Sequence, residues 1–401
     1  MNEIQSYIIK NLNYSLRGKK MDIPLNDEFN WAELIEECRQ HQILSLVYSG
    51  ISKESLKNID NNILEQWKKE TFMSGVYQIN HIKQISSVLN IFDANNIPVI
   101  VLKGLVVRDL YPKSELRTMG DADILVHEKD LDKVSSILTG LGYVEYNRNE
   151  FHIEFCKGNS YIEVHWTLAN ENIFDEIVEF KNELWERAVE VNIGDSKALS
   201  MCDEDLLLYL CIHMAKHFID GGFGIRPVCD VMLVVEERGK FINWNSFIIK
   251  AKRIKIDKFI MSIFAICNKL FSMSIPNELQ KYKVREDKYI NLIIEAIFES
   301  YVHGSRDKVT AVSKYLGYKS YSKKFSSIAI FRHLYFPPIE KLSERYRYAK
   351  KYKLLLPVAW IHRFVNTIFR KDYSLSDKVK LFMQGTNISK KHSELLNWLE
   401  L

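Results

Sequence analysis

Residues 97–126 read IPVIVLKGLVVRDLYPKSELRTMGDADILV, and two short apolar runs within them decide the fold class. The first, Ile97 to Gly104, is rich in β-branched residues and ends in glycine, the composition of a buried strand. Leu105 to Leu110 then predicts a short helix, closed by Tyr111-Pro112. Asp121 to Val126 is the next strand. Downstream, Asp130 to Leu141 is amphipathic with Gly142 where a C-cap belongs. Residues 144–156 (VEYNRNEFHIEFC) and 160–168 (SYIEVHWTL) are expected as two further strands, with a hairpin turn at Lys157-Gly158-Asn159. The order β-α-β-α-β-β predicts a small mixed α/β sheet.

Strand alternation assigns the chemistry, because every second side chain shares a face. Asp121 and Asp123 project from one face, with Ala122, Ile124 and Val126 opposite. Glu163 and His165 share a polar face against Ile162, Val164 and Trp166, and His152 pairs with Glu154 in the same way. Acids are depleted in strands, so three of them on one small sheet point to a reaction centre more than to a solvated surface. Converging carboxylates repel one another unless a cation sits between them. Hard oxygen donors suit Mg²⁺ or Mn²⁺, whose shell is completed by water and substrate phosphates. Gly104, at a strand end opening a helix, lets backbone N–H groups approach a phosphate without a Cβ in the way. His152 and His165 are candidates for acid/base work or for orienting the acids.

The flanks are helical. Residues 1–92 carry apolar positions at helical spacing, among them Ile79, Ile82, Ile85, Val88 and Ile91. Asn30 is expected to cap the helix at Trp31, with Asp27 the alternative if the helix begins a turn earlier. From about residue 175 the pattern is expected to return to helix. The texture divides the chain into an N-terminal helical segment (1–92), the sheet domain (93–195), a helical domain (196–300) and a basic, aromatic-rich helical region (301–401).

Composition narrows the class. The 401 residues hold 55 Lys plus Arg against 51 Asp plus Glu, a net charge of +4, too mild to argue for nucleic acid. Six scattered cysteines, with no CxxC pair, point to a reducing compartment and a cytoplasmic protein. Neither an apolar signal core nor a run long enough to span a membrane is expected.

The ordered set Leu102-Lys103-Gly104, Leu110-Tyr111-Pro112, Arg117, Asp121 to Val126, Gly142-Tyr143 and Ile162 to Trp166 resembles a known family. It is similar to the uncharacterised bacterial nucleotidyltransferase family of the DNA polymerase β-like superfamily, over roughly residues 30 to 270. The resemblance implies an α+β fold: a small mixed-sheet, polymerase β-like domain flanked by N-terminal helices and a C-terminal helical domain. It further implies Asp121 and Asp123 as metal ligands, Glu163 as the third carboxylate, and Gly104 as the phosphate-loop residue. Lys103 and Arg117 would meet the triphosphate. Lys216, His217, Arg226 and Asp230 resemble helical-domain positions, with His217 at the nucleotide. Where the superfamily has Gly-Ser or Gly-Gly, this chain has Lys103-Gly104-Leu105 and so no serine hydroxyl.

The reaction implied is transfer of an NMP from an NTP such as ATP to a hydroxyl-bearing acceptor, with release of pyrophosphate. The acceptor is left open among small metabolites, peptides, proteins and tRNA, as is the oligomeric state. Two alternatives share the fold: a nucleotide-binding pseudo-enzyme, and an RNA-binding module using the basic C-terminal region. His213 and His217 lie four apart on an expected helix, but HMAKH lacks the glutamate of a zinc-protease HExxH.

Overall fold

The computed structural model describes residues 1–22, 29–57, 59–169, 173–174, 176–301, 304–305, 310, 313–314, 339, 342, 346–369 and 375–401. Asp27 and most of the basic, tyrosine-rich stretch after residue 314 lie outside the described residues. Two compact units emerge: Met1–Lys216 with Gly224–Phe298, and His217–Phe223 with Glu299–Leu401.

The first unit opens on helices α1 (Glu3–Ser15), α2 (Trp31–Gln40), α3 (Leu44–Gly50), α4 (Lys53–Leu56) and α5 (Asn61–Ala94). Asn30 caps α2 as expected, its Oδ1 accepting from the Glu33 amide at 3.1 Å. In the second half of α5 the buried apolar positions are Ile82, Ile85, Val88, Leu89 and Phe92, whereas Ile79 is exposed and Ile91 only half-buried. A spacing of three falls about 60° short of a full turn at each step, so the ends of a 79-to-91 series rotate off the packed face.

Among the described residues the main sheet has strands β1 (Ile100–Val101), β2 (Ala122–Leu125), β3 (Val144–Arg148), β4 (His152–Lys157), β5 (Ser160–His165), β6 (Val189–Ile193) and β7 (Ser196–Ser200). Their spatial order is β3-β4-β5-β2-β1-β7-β6. β2 runs antiparallel to β1 and parallel to β5, and β1 runs parallel to β7. Between β1 and β2 lies the short helix α6 (Gly104–Val107), and between β2 and β3 lies α7 (Leu131–Gly140). Gly142, at φ +84°, ends α7 in the left-handed conformation that a side chain would disfavour.

Two expectations are corrected here. The stretch 144–156 is a pair of strands, because the Asn149 side chain accepts from the Phe151 and His152 amides (2.8 and 3.0 Å) and turns the chain. The region after 175 is not purely helical: α8 (Ile177–Glu186) is followed by the β6–β7 hairpin, which extends the sheet beyond β1 and crosses position 195. Its signal was a five-residue alternation on either side of Gly194-Asp195, with Gly194 at φ +60°.

The apolar face of the sheet, with Ala122, Ile124, Val126, Ile153, Phe155, Ile162 and Val164, packs against α5 and α7. Each fully buried Ile, Leu, Val or Phe in such a layer contributes about 2 kcal/mol of transfer free energy. That burial fixes the register, and the register in turn sends the acids to the other face. The unit continues through α9 (Asp203–Asp220, its last four residues belonging to the second unit), α10 (Arg226–Arg238), α11 (Trp244–Arg253), α12 (Asp257–Phe271) and α13 (Asp287–Phe298).

In the second unit β8 (Ser300–Tyr301) pairs with β9 (Gly304–Ser305), and helices α14 (Arg347–Lys351), α15 (Leu356–Phe369) and α16 (Leu375–Leu399) follow. Leu342, Tyr346, Ala349 and Ala359 form a small apolar cluster. Among the described residues no helix is long and apolar enough to cross a membrane.

Candidate active site

Register builds the site. Asp123 lies beside Glu163 on the neighbouring strand, and Glu163 beside Glu154, so one row of carboxylates crosses β2, β5 and β4. The next row places His165 beside His152. Asp121 stands just ahead of β2, two residues from Asp123 and on the same face.

The loop leading into β2 is clamped. Both faces of the Gln78 amide bond the Met119 backbone, Nε2 to O at 3.0 Å and Oε1 from N at 3.1 Å. The Tyr77 hydroxyl reaches the carbonyls of Asn159 (2.8 Å) and Gly120 (3.3 Å). From the helical side, Arg226 donates to the Thr118 carbonyl at 2.7 Å. Arg117 forms a bidentate pair with Asp230, Nη2 to Oδ2 at 2.7 Å and Nε to Oδ1 at 3.2 Å, and the Tyr111 hydroxyl donates to the same Asp230 at 2.7 Å. Arg117 is thus buried and bound, holding the loop to α10 in this structure.

Gly104 is required by space. A Cβ there would lie 2.2 Å from Arg117 Nη1 and 2.6 Å from Met119 Sδ. The preceding Lys103 adopts φ +43°, ψ −112°, a conformation side chains resist by about 1–3 kcal/mol and one that clusters at functional sites. This twist delivers its ammonium to Asp123, with Nζ to Oδ1 at 2.9 Å.

His165 Nε2 lies 3.0 Å from Asp123 Oδ1 and 3.2 Å from Glu163 Oε2. His152 Nε2 lies 3.1 Å from Glu154 Oε1, and the two imidazole centroids are 4.9 Å apart. Tyr209 of α9 is buried within the electrostatic reach of Lys103, Asp123 and Glu163. Lys216 places its ammonium 5.6 Å above the Phe151 ring.

The acids differ in electrostatic state. Burial alone would raise Asp123, but the Lys103 ammonium and the His165 hydrogen bond outweigh it and hold the carboxyl well below its usual range. Asp121 is pushed up to about 7, first by burial and then by the charges of Asp123 and Glu163. Burial lowers His165, but its bonds to Asp123 and Glu163 prevail and raise it. Burial also pushes the Tyr209 hydroxyl up to about 12. Three carboxylates face one ammonium and one imidazole, so negative charge remains to be met. That donor set fits a hard divalent cation.

A model of the uncharacterised nucleotidyltransferase family matches residues 27–272, the span that holds every group described above. The chain belongs to this family. It is a nucleotidyltransferase, an enzyme that takes an NTP and an acceptor. Solved structures with some similarity include the antibiotic-resistance factor ANT(2'')-Ia, 12% identical over 48% of this chain and 96% of that one, with a TM-score of 0.33. The lincosamide antibiotic adenylyltransferase LnuA is 19% identical, covering 38% and 94% with a TM-score of 0.29. An antigenic nucleotidyltransferase-like protein from Paracoccidioides brasiliensis is 14% identical, covering 39% and 76% with a TM-score of 0.28. No curated protein matches the chain in sequence.

The structure of the nucleotidyltransferase thus brings together Asp121, Asp123, Glu163, Lys103, His152 and His165. Arg117, Arg226 and Asp230 meet at the loop behind Asp121. His217 lies half-buried in the last turn of α9, within the second unit. Sequence reasoning passed over Tyr209, Tyr77 and Gln78. Tyr209 had a usable signal, standing one helical turn before His213, with ring centroids 6.4 Å apart. Tyr77 and Gln78 had none, since their partners are backbone atoms more than forty residues away in the chain.

Proposed function

We propose that the enzyme is a cytoplasmic, Mg²⁺- or Mn²⁺-dependent nucleotidyltransferase that moves an NMP from an NTP, ATP in the first instance, to a hydroxyl of its acceptor and releases pyrophosphate. The observation that carries this reading is the convergence of three acids at the end of β2, Asp123 beside Glu163 on the neighbouring strand and Asp121 pushed up to about 7 by burial and then by those two charges. Asp121, Asp123 and Glu163 would hold the cation. When bound, it supplies Lewis-acid stabilisation of the triphosphate and of the departing pyrophosphate.

The chain's own residues do the rest. Lys103, drawn to Asp123 at 2.9 Å, would turn its ammonium to the triphosphate. In that position it meets the charge of the leaving group. Glu163, half-buried with His165 3.2 Å away, accepts the acceptor's hydroxyl proton on a carboxylate oxygen. Arg117, through Asp230 and Tyr111, positions the 117–121 loop. His217 is carried over from the sequence resemblance alone.

The segments share the work: 93–200 performs the transfer, and the helices around it select the acceptor from small metabolites, peptides, proteins or tRNA. A pseudo-enzyme is the alternative, favoured by the Lys103 ammonium resting where a cation would neutralise Asp123. Incubation with a divalent cation, each NTP and a cell extract, followed by mass analysis, distinguishes the two. The proposed reading predicts one acceptor gaining a nucleoside monophosphate mass, and at least about a thousand-fold loss with Asp123→Asn. Binding of NTP with no product and no pyrophosphate from any fraction contradicts it.

A further inference from the structure

We propose that His152, Glu163 and His165 form a nitrogen-containing site for a first-row transition-metal dication, sharing Glu163 with the aspartate pair. The inference rests on the proposed reading only for that shared carboxylate.

Geometry carries it. One potential ligand atom from each of the three residues lies within 4.8 Å of the other two, and among the described residues no other group of His, Cys, Asp or Glu meets that condition. The contact from His165 Nε2 to Glu163 Oε2 is 3.2 Å. Two atoms bound to one ion at about 2.1 Å stand about 3 Å apart, so this pair needs little movement to become neighbouring ligands.

The surroundings are those of a supported ligand set. His152 Nε2 lies 3.1 Å from both Glu154 Oε1 and Asn149 Nδ2, and in the proposed site the ring proton is on Nε2, toward the carboxylate. A carboxylate on one imidazole nitrogen leaves the other as a lone-pair donor, the usual arrangement behind a metal-bound histidine. The remaining nitrogen, Nδ1, is buried with no hydrogen-bond partner. A buried ring nitrogen without a partner is costly unless something meets it. The strands that carry these residues are paired in register, His152 opposite His165 and Glu154 opposite Glu163.

The ligand type sets the metal. Imidazole nitrogen favours Fe²⁺, Co²⁺ or Zn²⁺ over Mg²⁺, which prefers oxygen and retains its waters, and Mn²⁺, the weakest binder of the series, accepts both donor types. Asp123 is left to the aspartate pair, since the three-residue group is His152, Glu163 and His165. His165 Nε2 also lies 3.0 Å from Asp123 Oδ1 and would give up that contact on binding an ion. The site lies beside the aspartate pair rather than within it.

Manganese is the probe. Mn²⁺ is added to the full chain, and pulsed electron paramagnetic resonance reads nitrogen coupling to the ion. The expected result is ¹⁴N modulation that changes to the ¹⁵N pattern when only histidine is ¹⁵N-labelled. It should disappear in the His152→Gln, His165→Gln double variant, whose Mn²⁺ affinity falls at least ten-fold. Glu154→Gln, which leaves the ligands in place, should weaken Mn²⁺ about ten- to hundred-fold.

Failure of the wild-type chain to bind Mn²⁺ at millimolar concentration overturns the proposal. So does bound Mn²⁺ without histidine coupling, or coupling that survives the double substitution. The labelling experiment decides the matter even if the double variant does not fold. Nucleotidyl transfer without histidine coupling leaves the proposed function standing and removes this inference. Histidine coupling without transfer does the reverse.

Discussion

Two acid clusters lie in the first unit, and they are built on opposite terms. At the start of α9, Asp205 is fully buried yet surrounded by cations: Lys250 Nζ at 3.0 Å, and Arg187 through Nε at 3.0 Å and Nη2 at 3.2 Å. Its neighbour Glu204 takes Lys250 as well, and the Ser246 hydroxyl at 2.9 Å. Each of these carboxylates meets a cation, and Arg187 also pairs with Glu183 of α8 at 3.4 Å, so the cluster ties α8, α9 and α11 together. At the end of β2, three carboxylates meet one lysine and one histidine, and Asp121 is pushed up to about 7, first by burial and then by the charges of Asp123 and Glu163. The first cluster is complete as a piece of structure. The second is left short of positive charge, as a site that awaits a cation should be.

The comparison breaks most readily at Asp205. Replacing it with asparagine leaves Lys250 and Arg187 facing a neutral amide in a buried place, which should cost about 3–5 kcal/mol. Denaturant unfolding should show this loss, while the fraction that remains folded keeps its transfer activity. A loss of activity at full stability would mean that the α9 cluster, too, belongs to the chemistry.

A buried group in the second unit sharpens the contrast from another side. His392 of α16 is 4% exposed, with Nε2 3.4 Å from the Ile219 carbonyl. Burial, then the charge of Lys314, lowers its pKa to about 4 from an ordinary 6.5. The folded form therefore binds the proton less readily than the unfolded chain. Its contribution is complete above about pH 6.5 and is lost as pH falls toward 4, by about 3 kcal/mol in all. Hydrogen exchange along α16 should accelerate over that window in the wild type, beyond its intrinsic pH dependence, and change much less in His392→Gln.

How much of this was legible in advance depends on the range of the interaction. Strand alternation placed Asp121, Asp123 and Glu163 on one face because it is a property of neighbours in the chain, and the apolar residues opposite do pack as a layer. The cap at Asn30 and the turn at Gly142 were readable for the same reason. The division of 144–156 at Asn149 was missed because it depends on one side chain bonding two amides, which overrides a run of good strand formers. The β6–β7 hairpin was missed because its alternation is weak and its pairing partner, β1, lies about a hundred residues earlier. The resemblance implies that Arg117 meets the triphosphate, and in the structure its guanidinium bonds Asp230. Its bond to Asp230, 113 residues away, leaves no local mark in the sequence.

The central claim is that the acids at the end of β2 lack a counter-charge that a cation supplies. The most direct test is a thermal melt of wild type, Asp121→Asn and Asp123→Asn, in EDTA and again with Mn²⁺ plus ATP. The wild type should gain several degrees with the ligands. Asp121→Asn should start about 1 kcal/mol more stable in EDTA, because a like charge has been removed, and gain almost nothing on addition. Asp123→Asn should also fail to gain. If Asp121→Asn is destabilised as Asp205→Asn is, or if all three proteins gain equally, the acids are structural and the claim is wrong.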